Sequence, residues 1–303
     1  MVDSEPSQPP GRLLACAGLE EHLPAIRRLA QTCTAVDGGR LKLEWRTLEM
    51  RAVDQVNDFL WTSPEGLVGF LGLYSFRPDL VEICGMVHPS LRRRGIFSRL
   101  FEAAITEAAN RDFPQALLVV DRLYASGAGF ASSVGATLEH SEHRMVLSQQ
   151  PSAFVADRLV KLRPATRDDV AFVLGCVAEA FGLPVEELKT EEIEGLVRRY
   201  PGTFVIERDG ELVGTVRVER GPDGADIYGF AVLAEFRGRG IGRQVLSELA
   251  TRLRAEGIGR VGLEVASTND SALGLYLSCG FEITGTEDYY AVTPRPVQPG
   301  GRV

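Results

Sequence analysis

Two stretches in the second half of the chain gather residue types that can hold charge and move protons. The first is Arg237-Gly238-Arg239-Gly240-Ile241-Gly242-Arg243, with three glycines and three arginines in seven residues. Glycine lets the backbone bend sharply and approach a ligand without a Cβ in the way. The free N–H groups of a helix's first turn favour an anion there, and arginines add charge for a phosphate. A tight strand–helix turn with solvated arginines explains the same residues without a ligand. No Gly-Lys-Ser/Thr follows, so this is not a P-loop, and the glycine spacing is wrong for a dinucleotide fold. The second stretch runs from Glu264 through Asn269 to Tyr276 and Gly280-Phe281. It offers a carboxylate, an amide and a phenol, although a capped helix with a half-buried tyrosine accounts for it equally well. A further carboxylate, Asp226, lies eleven residues before Arg237 (237 − 226).

The elements that must position these groups are legible from pattern. Asp226 to Leu233 is β-branched and aromatic, as a buried strand should be. Ile241, Val245, Leu246 and Leu249 recur at helical spacing, so a helix begins near Gly240. A strand over Gly262–Ala266 and a helix over Ser271–Leu277 follow. Upstream, Leu159–Thr166 reads as a strand, Asp168–Phe181 as a helix, and Phe204–Glu207 with Leu212–Glu219 as a hairpin. The first half repeats this order. It has helices at Leu19–Thr32, Leu41–Arg51 and Ser98–Asn110. Its strands are Phe59–Trp61, Leu67–Tyr74, Val81–Val87 and Ala116–Val120. Arg92-Arg93-Arg94-Gly95-Ile96-Phe97 aligns with the glycine-rich loop 145 residues later (237 − 92), a domain-sized duplication. There Phe97 replaces Gly242, and no tyrosine aligns with Tyr276.

The loop matches Arg/Gln-x-x-Gly-x-Gly/Ala at Arg237, Gly240 and Gly242, and the later run matches Asn-x-x-Ala-x-x-x-Tyr-x-x-x-Gly-Phe at Asn269, Ala272, Tyr276, Gly280 and Phe281. In this order and separation the two motifs resemble the GNAT superfamily of N-acetyltransferases, over residues 160–292 well and 12–148 more loosely. The tandem arrangement resembles the mycothiol synthase family within it, whose C-terminal repeat is the catalytic one. The resemblance implies an α/β (α+β) fold of two tandem domains. Each would be a mixed, largely antiparallel sheet flanked by helices and splayed at an acyl-CoA site. It also implies acetyl-CoA as cosubstrate. Loop amides from Gly238, Arg239, Gly240, Ile241, Gly242 and Arg243 would hold the diphosphate beside Arg237. The backbone of Ala231, Val232 and Leu233 would pair with the pantetheine arm, which Asn269 would also touch. Tyr276 matches the family's general acid. The resemblance offers two residues for the base, Glu264, twelve residues before Tyr276, and Asp226 on the central strand; either could instead be a surface position on its strand, leaving neither as the base. Tyr289 and Tyr290 stand where an acceptor pocket would be lined, or where packed tyrosines would be.

At 303 residues, 45% hydrophobic and 24% charged, the chain fits a soluble protein of about two domains. The expected boundaries are a loose arm at 1–11, a degenerate repeat at 12–150, a working repeat at 156–292 and a disordered tail at 293–303. A net charge of −8 speaks against nucleic acid or a membrane surface as partner. Five scattered cysteines and four histidines show no metal spacing, so no metal is expected and the thiols read as reduced and cytoplasmic. The expected partners are acetyl-CoA and an amine acceptor, for a monomer or homodimer.

Overall fold

The computed structural model describes residues 11–77, 79–149, 160–182, 202–221 and 223–295. The expected arm and most of the linker and tail lie outside these residues. The chain forms two compact units, Met1–Ser141 with Gly285–Val303, and Glu142–Thr284. The last strand of each repeat crosses the division, so a piece of each repeat completes the other unit.

Unit 1 contains a sheet ordered β1 (Arg12–Cys16), β2 (Asp58–Ser63), β3 (Gly66–Arg77), β4 (Leu80–Val87), β5 (Gln115–Asp121) and then β12 (Phe281–Val292). Its β4–β5 pair is parallel and its other pairs are antiparallel. Helices α1 (Leu23–Asp37), α2 (Trp45–Glu49), α3 (Ile96–Asn110) and α4 (Ala125–Ser133) flank it. Helix α1 starts later than its apolar spacing suggests because Pro24 occupies its first turn, and it runs on until Gly38 turns left-handed at φ 77°.

Unit 2 has the order β6 (Thr137–Leu147), β11 (Val261–Ala266), β10 (Gly224–Val232), β9 (Glu211–Gly221), β8 (Thr203–Arg208) and β7 (Val160–Pro164). Again one pair, β10–β11, is parallel and the others are antiparallel. Helices α5 (Val170–Phe181), α6 (Ile241–Ala255) and α7 (Asp270–Ser278) complete the described part.

The duplication extends to individual core positions. Helix α3 buries Ile96, Leu100, Phe101, Ala104, Ile105 and Ala108; α6 buries Ile241, Val245, Leu246, Leu249, Ala250 and Leu253, each 145 residues on. A stripe at this spacing faces one way on a helix, and each large side chain removed from water stabilises by about 1.5–3 kcal/mol at most. That stripe packs each helix against the sheet of its own unit and so fixes where the helix N-terminus points.

Candidate active site in unit 2

Strands β10 and β11 pair only at Ala225↔Val261, Asp226↔Gly262 and Ile227↔Leu263. Beyond that the sheet opens: β10 stays paired with β9, and β11 with β6. Between Tyr228 and Ala231 the β9–β10 register shifts, and Gly229 sits at φ 52°. Such a bulge adds one residue and inverts the side-chain phase of the strand. Ala225 and Ile227 face α6 before it, whereas Phe230 and Val232 do so after it.

The chain then passes through Ala234–Phe236 and Arg237 into Gly238 (φ 74°) and Gly240 (φ 75°), where α6 begins. These positive angles are the conformational reason for two of the three glycines. Gly242 is small for another reason: a Cβ there would lie 2.7 Å from Leu275 Cδ2 on α7. The first helical bond of α6 runs from Gln244 N–H to Gly240 O at 3.2 Å. The N–H groups of Ile241, Gly242 and Arg243 therefore have no partner within the helix, and they point into the turn. The arginines are partly tied to the loop. Arg237 Nε donates to Val232 O at 2.8 Å, Arg239 Nη2 to Glu235 O at 2.8 Å, and Arg243 Nη2 to Ser278 Oγ at 3.0 Å. Of the three backbone positions expected along the arm, Leu233 already spends its N–H on Val213 O.

The candidate acid and bases occupy both faces of the splayed sheet. Tyr276 is buried on the face that packs with α6, edge-on to Phe281, and burial pushes its hydroxyl up to about 12. Leu263 and Val265 face the same side, so Glu264 between them faces the other. Glu264 stands one residue beyond the last bridged pair, at the mouth of the opening. Asp226 shares its face but lies where the strands are still zipped, and Arg260 grips it bidentately at 3.0 and 2.8 Å. Asn269 caps α7, its Oδ1 accepting from Ala272 N–H at 3.1 Å. Tyr289 belongs to unit 1, where it is 2% exposed, stacked on His140 and hydrogen-bonded by Lys42.

Unit 1 has the same frame with different contents. Its loop repeats the backbone, with Gly95 at φ 78° and Arg93 at φ 63° where unit 2 has Gly238. Arg92 Nε donates to Val87 O as Arg237 does to Val232 O, but its guanidinium is held by Asp37 at 2.7 and 2.6 Å. Phe97 turns onto Phe130 of α4, with ring centroids 4.7 Å apart. A cavity of 570 Å³ lies in the opening between β4 and β5 and reaches this loop. Ala131 takes the place of Tyr276, and Val119 that of Glu264 (276 − 131 and 264 − 119, both 145).

Sequence reasoning missed the bulge and the pairing of β6 beside Glu264. Gly229 inside a strand was the available signal for the first. No local signal marks the second.

The Acetyltransferase (GNAT) family pattern matches twice, at residues 24–130 and 176–281. A mycothiol acetyltransferase of Thermobispora bispora is 30% identical over 283 residues, covering 85% of this chain and 91% of that protein. A mycothiol acetyltransferase of Acidothermus cellulolyticus is 28% identical, covering 92% of each. Among solved structures, a GCN5-related N-acetyltransferase from Sphaerobacter thermophilus superposes with a TM-score of 0.79 at 21% identity, covering 95% of this chain and 97% of that one. A tandem GNAT protein from the clavulanic acid biosynthesis pathway gives 0.70 at 20% identity, with 95% and 99% covered. Among the described residues no helix is long and apolar enough to cross a membrane. With two matching copies and relatives aligned over nearly its whole length, the chain belongs to the GNAT acetyltransferase family and is a tandem N-acetyltransferase that uses acetyl-CoA.

Proposed function

We propose that unit 2 carries the reaction, by direct attack of a small molecule's primary amine on the acetyl thioester, with Glu264 as base and Tyr276 as acid. The observation that carries this reading is that unit 2 keeps both groups at its opening where unit 1 has Val119 and Ala131. The first-turn amides of Ile241, Gly242 and Arg243 would hold the diphosphate of acetyl-CoA, and β10 at Ala231 and Val232, on its side away from β9, would take its arm as an added strand.

Glu264 accepts the proton of the attacking nitrogen, directly or through water, as the C–N bond forms. Tyr276 faces the departing sulfur as the C–S bond breaks. A hydroxyl raised to about 12 would lose its proton to a thiolate near 8.5 only at a cost of about 5 kcal/mol. Tyr276 therefore stabilises the thiolate chiefly by a hydrogen bond. The position of the two groups on opposite faces suits a thioester threaded through the opening, with cofactor on the α6 face and acceptor on the other.

A second reading narrows the acceptor to the amine of a thiol sugar. The names of the relatives that cover most of the chain support it. A thiol-release assay with acetyl-CoA and an amine panel, run on E264Q and D226N across pH, tests the assignment. E264Q should lose about 100-fold in kcat/KM together with the acid limb of the profile, whereas D226N should stay within a few-fold. If the loss follows D226N instead, the base is Asp226.

A further inference from the structure

The face of the unit 2 sheet that carries Glu264 contains a second charged residue that no motif marks. Strand β6 pairs antiparallel with β11 in the register Leu263↔Met145, Glu264↔Arg144 and Val265↔His143. Met145 and Leu147 pack with α6 in the same core as Leu263 and Val265. Alternation then puts Arg144 and Glu264 side by side on the opposite face. Directly opposed residues on paired strands have Cβ atoms about 4.5–5.5 Å apart, within reach of an arginine and a glutamate. Arg144 is only 9% exposed, and its backbone carbonyl accepts from Thr284 Oγ1 at 3.3 Å. A buried guanidinium is retained where it meets an acceptor, and its fixed fork gives a carboxylate a defined orientation.

We infer that Arg144, on the strand that the first repeat lends to unit 2, is the positioning residue that orients the Glu264 carboxylate and keeps it ionised. This rests on Glu264 being the base. Asp226 has Arg260 in the same office one strand away. Among the described residues, the other polar groups on this face of β6 and β10 are His140, two residues before Glu142, Glu142, opposite Ala266, Asp226, opposite Gly262, and Tyr228, over whose ring Arg217 sits at 5.0 Å. Glu142 and Asp226 oppose ionisation of Glu264, and Arg144 is the cation in direct register with it.

The test is the pH profile of kcat/KM in R144Q, R144K and E264Q, and in the E264Q/R144Q double variant, with thermal melting of each. R144Q should move the acid limb up by about one pH unit and lower kcat about tenfold. R144K, which keeps the charge, should leave the limb in place and lose two- to threefold. In the E264Q background R144Q should add nothing, because the arginine acts only through the carboxylate. An unmoved limb in R144Q, or an undiminished effect in the double variant, overturns the inference while leaving Glu264 as base. If E264Q itself keeps the wild-type profile, the base assignment has failed instead. Should R144Q not fold, R144K decides: wild-type kcat there removes the orienting role.

Discussion

The two central strands, β4 of unit 1 and β10 of unit 2, show how one frame becomes two different sites. In unit 1 the parallel pair ends at Ile83↔Leu118, and in unit 2 at Ile227↔Leu263. The partner strands are offset by 145 (263 − 118), the central strands by only 144 (227 − 83). Beyond the opening the loops are again 145 apart. The missing residue is the bulge at Gly229: β4 runs in regular register with β3 from Tyr74↔Glu82 to Gly69↔Val87, and β10 does not. One consequence is that the structural counterpart of Asp226 is Glu82, not Val81. A carboxylate at that position is thus common to both units, whereas Glu264 and Tyr276 belong to unit 2 alone. The bulge and the two groups proposed as base and acid occur in the same unit, and bulges commonly re-aim side chains next to active sites.

The comparison can be broken most severely by cutting the chain. A fragment 155–303 lacks β6 and carries the 287–292 end of β12 without β5, its partner in unit 1. It should fail to give a cooperative melt, whereas 142–284, which keeps β6 from Glu142 to Leu147, should give one by circular dichroism. Next in size, Y276F should lower kcat about 100-fold with little change in the KM for acetyl-CoA, measured by thiol release. Replacing its counterpart with the equally small A131G should not change turnover by more than a few-fold if unit 2 alone is catalytic. Deleting Gly229 would make β10 regular like β4. It should cost at least about tenfold in kcat/KM while near-native melting persists, since the core stripe of α6 is unaffected. If activity survives, the bulge is an ornament of the strand.

The smallest effect concerns acid. In unit 1, burial pushes Asp58 up to about 6 against the pull of Arg51, 2.9 Å away. Its contribution to stability is complete below the ordinary carboxylate value near 3.9 and is lost as pH rises through 6. In unit 2, the guanidinium of Arg163, at 2.6 and 2.8 Å, and the Thr166 N–H and hydroxyl hold Asp169 well below the usual range. That contribution is present above about 3.9 and disappears as pH falls further. Hydrogen exchange resolved by peptide should therefore show unit 1 gaining protection from pH 7 to 5 and unit 2 losing it below pH 4. Parallel behaviour of the two units would remove this distinction.

Much of the site was legible in the sequence because its parts are local. Gly238 and Gly240 are glycines on account of their positive φ, the stripe from Ile241 to Leu253 has a helical period, and Asn269 caps the helix whose first turn follows it. Such features depend on residues within a turn or two of each other, so spacing reveals them. Phe97 stands where unit 2 has Gly242, and its ring packs on Phe130, which only the fold places beside it. Gly242 was read as room for a ligand, and the structure adds Leu275 as the neighbour that needs that space.

The sequence by itself determined the duplication, the glycine-lined turn, the family and the candidate acid and bases, all of which follow from short-range pattern. Tertiary structure decided which strand completes which unit, where the parallel pair parts, that Asp226 is clasped by Arg260, and that Arg144 lies across from Glu264. Those facts depend on strand register between segments about 35 to 170 residues apart. Register is set by the total burial of two faces at once, and no local pattern encodes it.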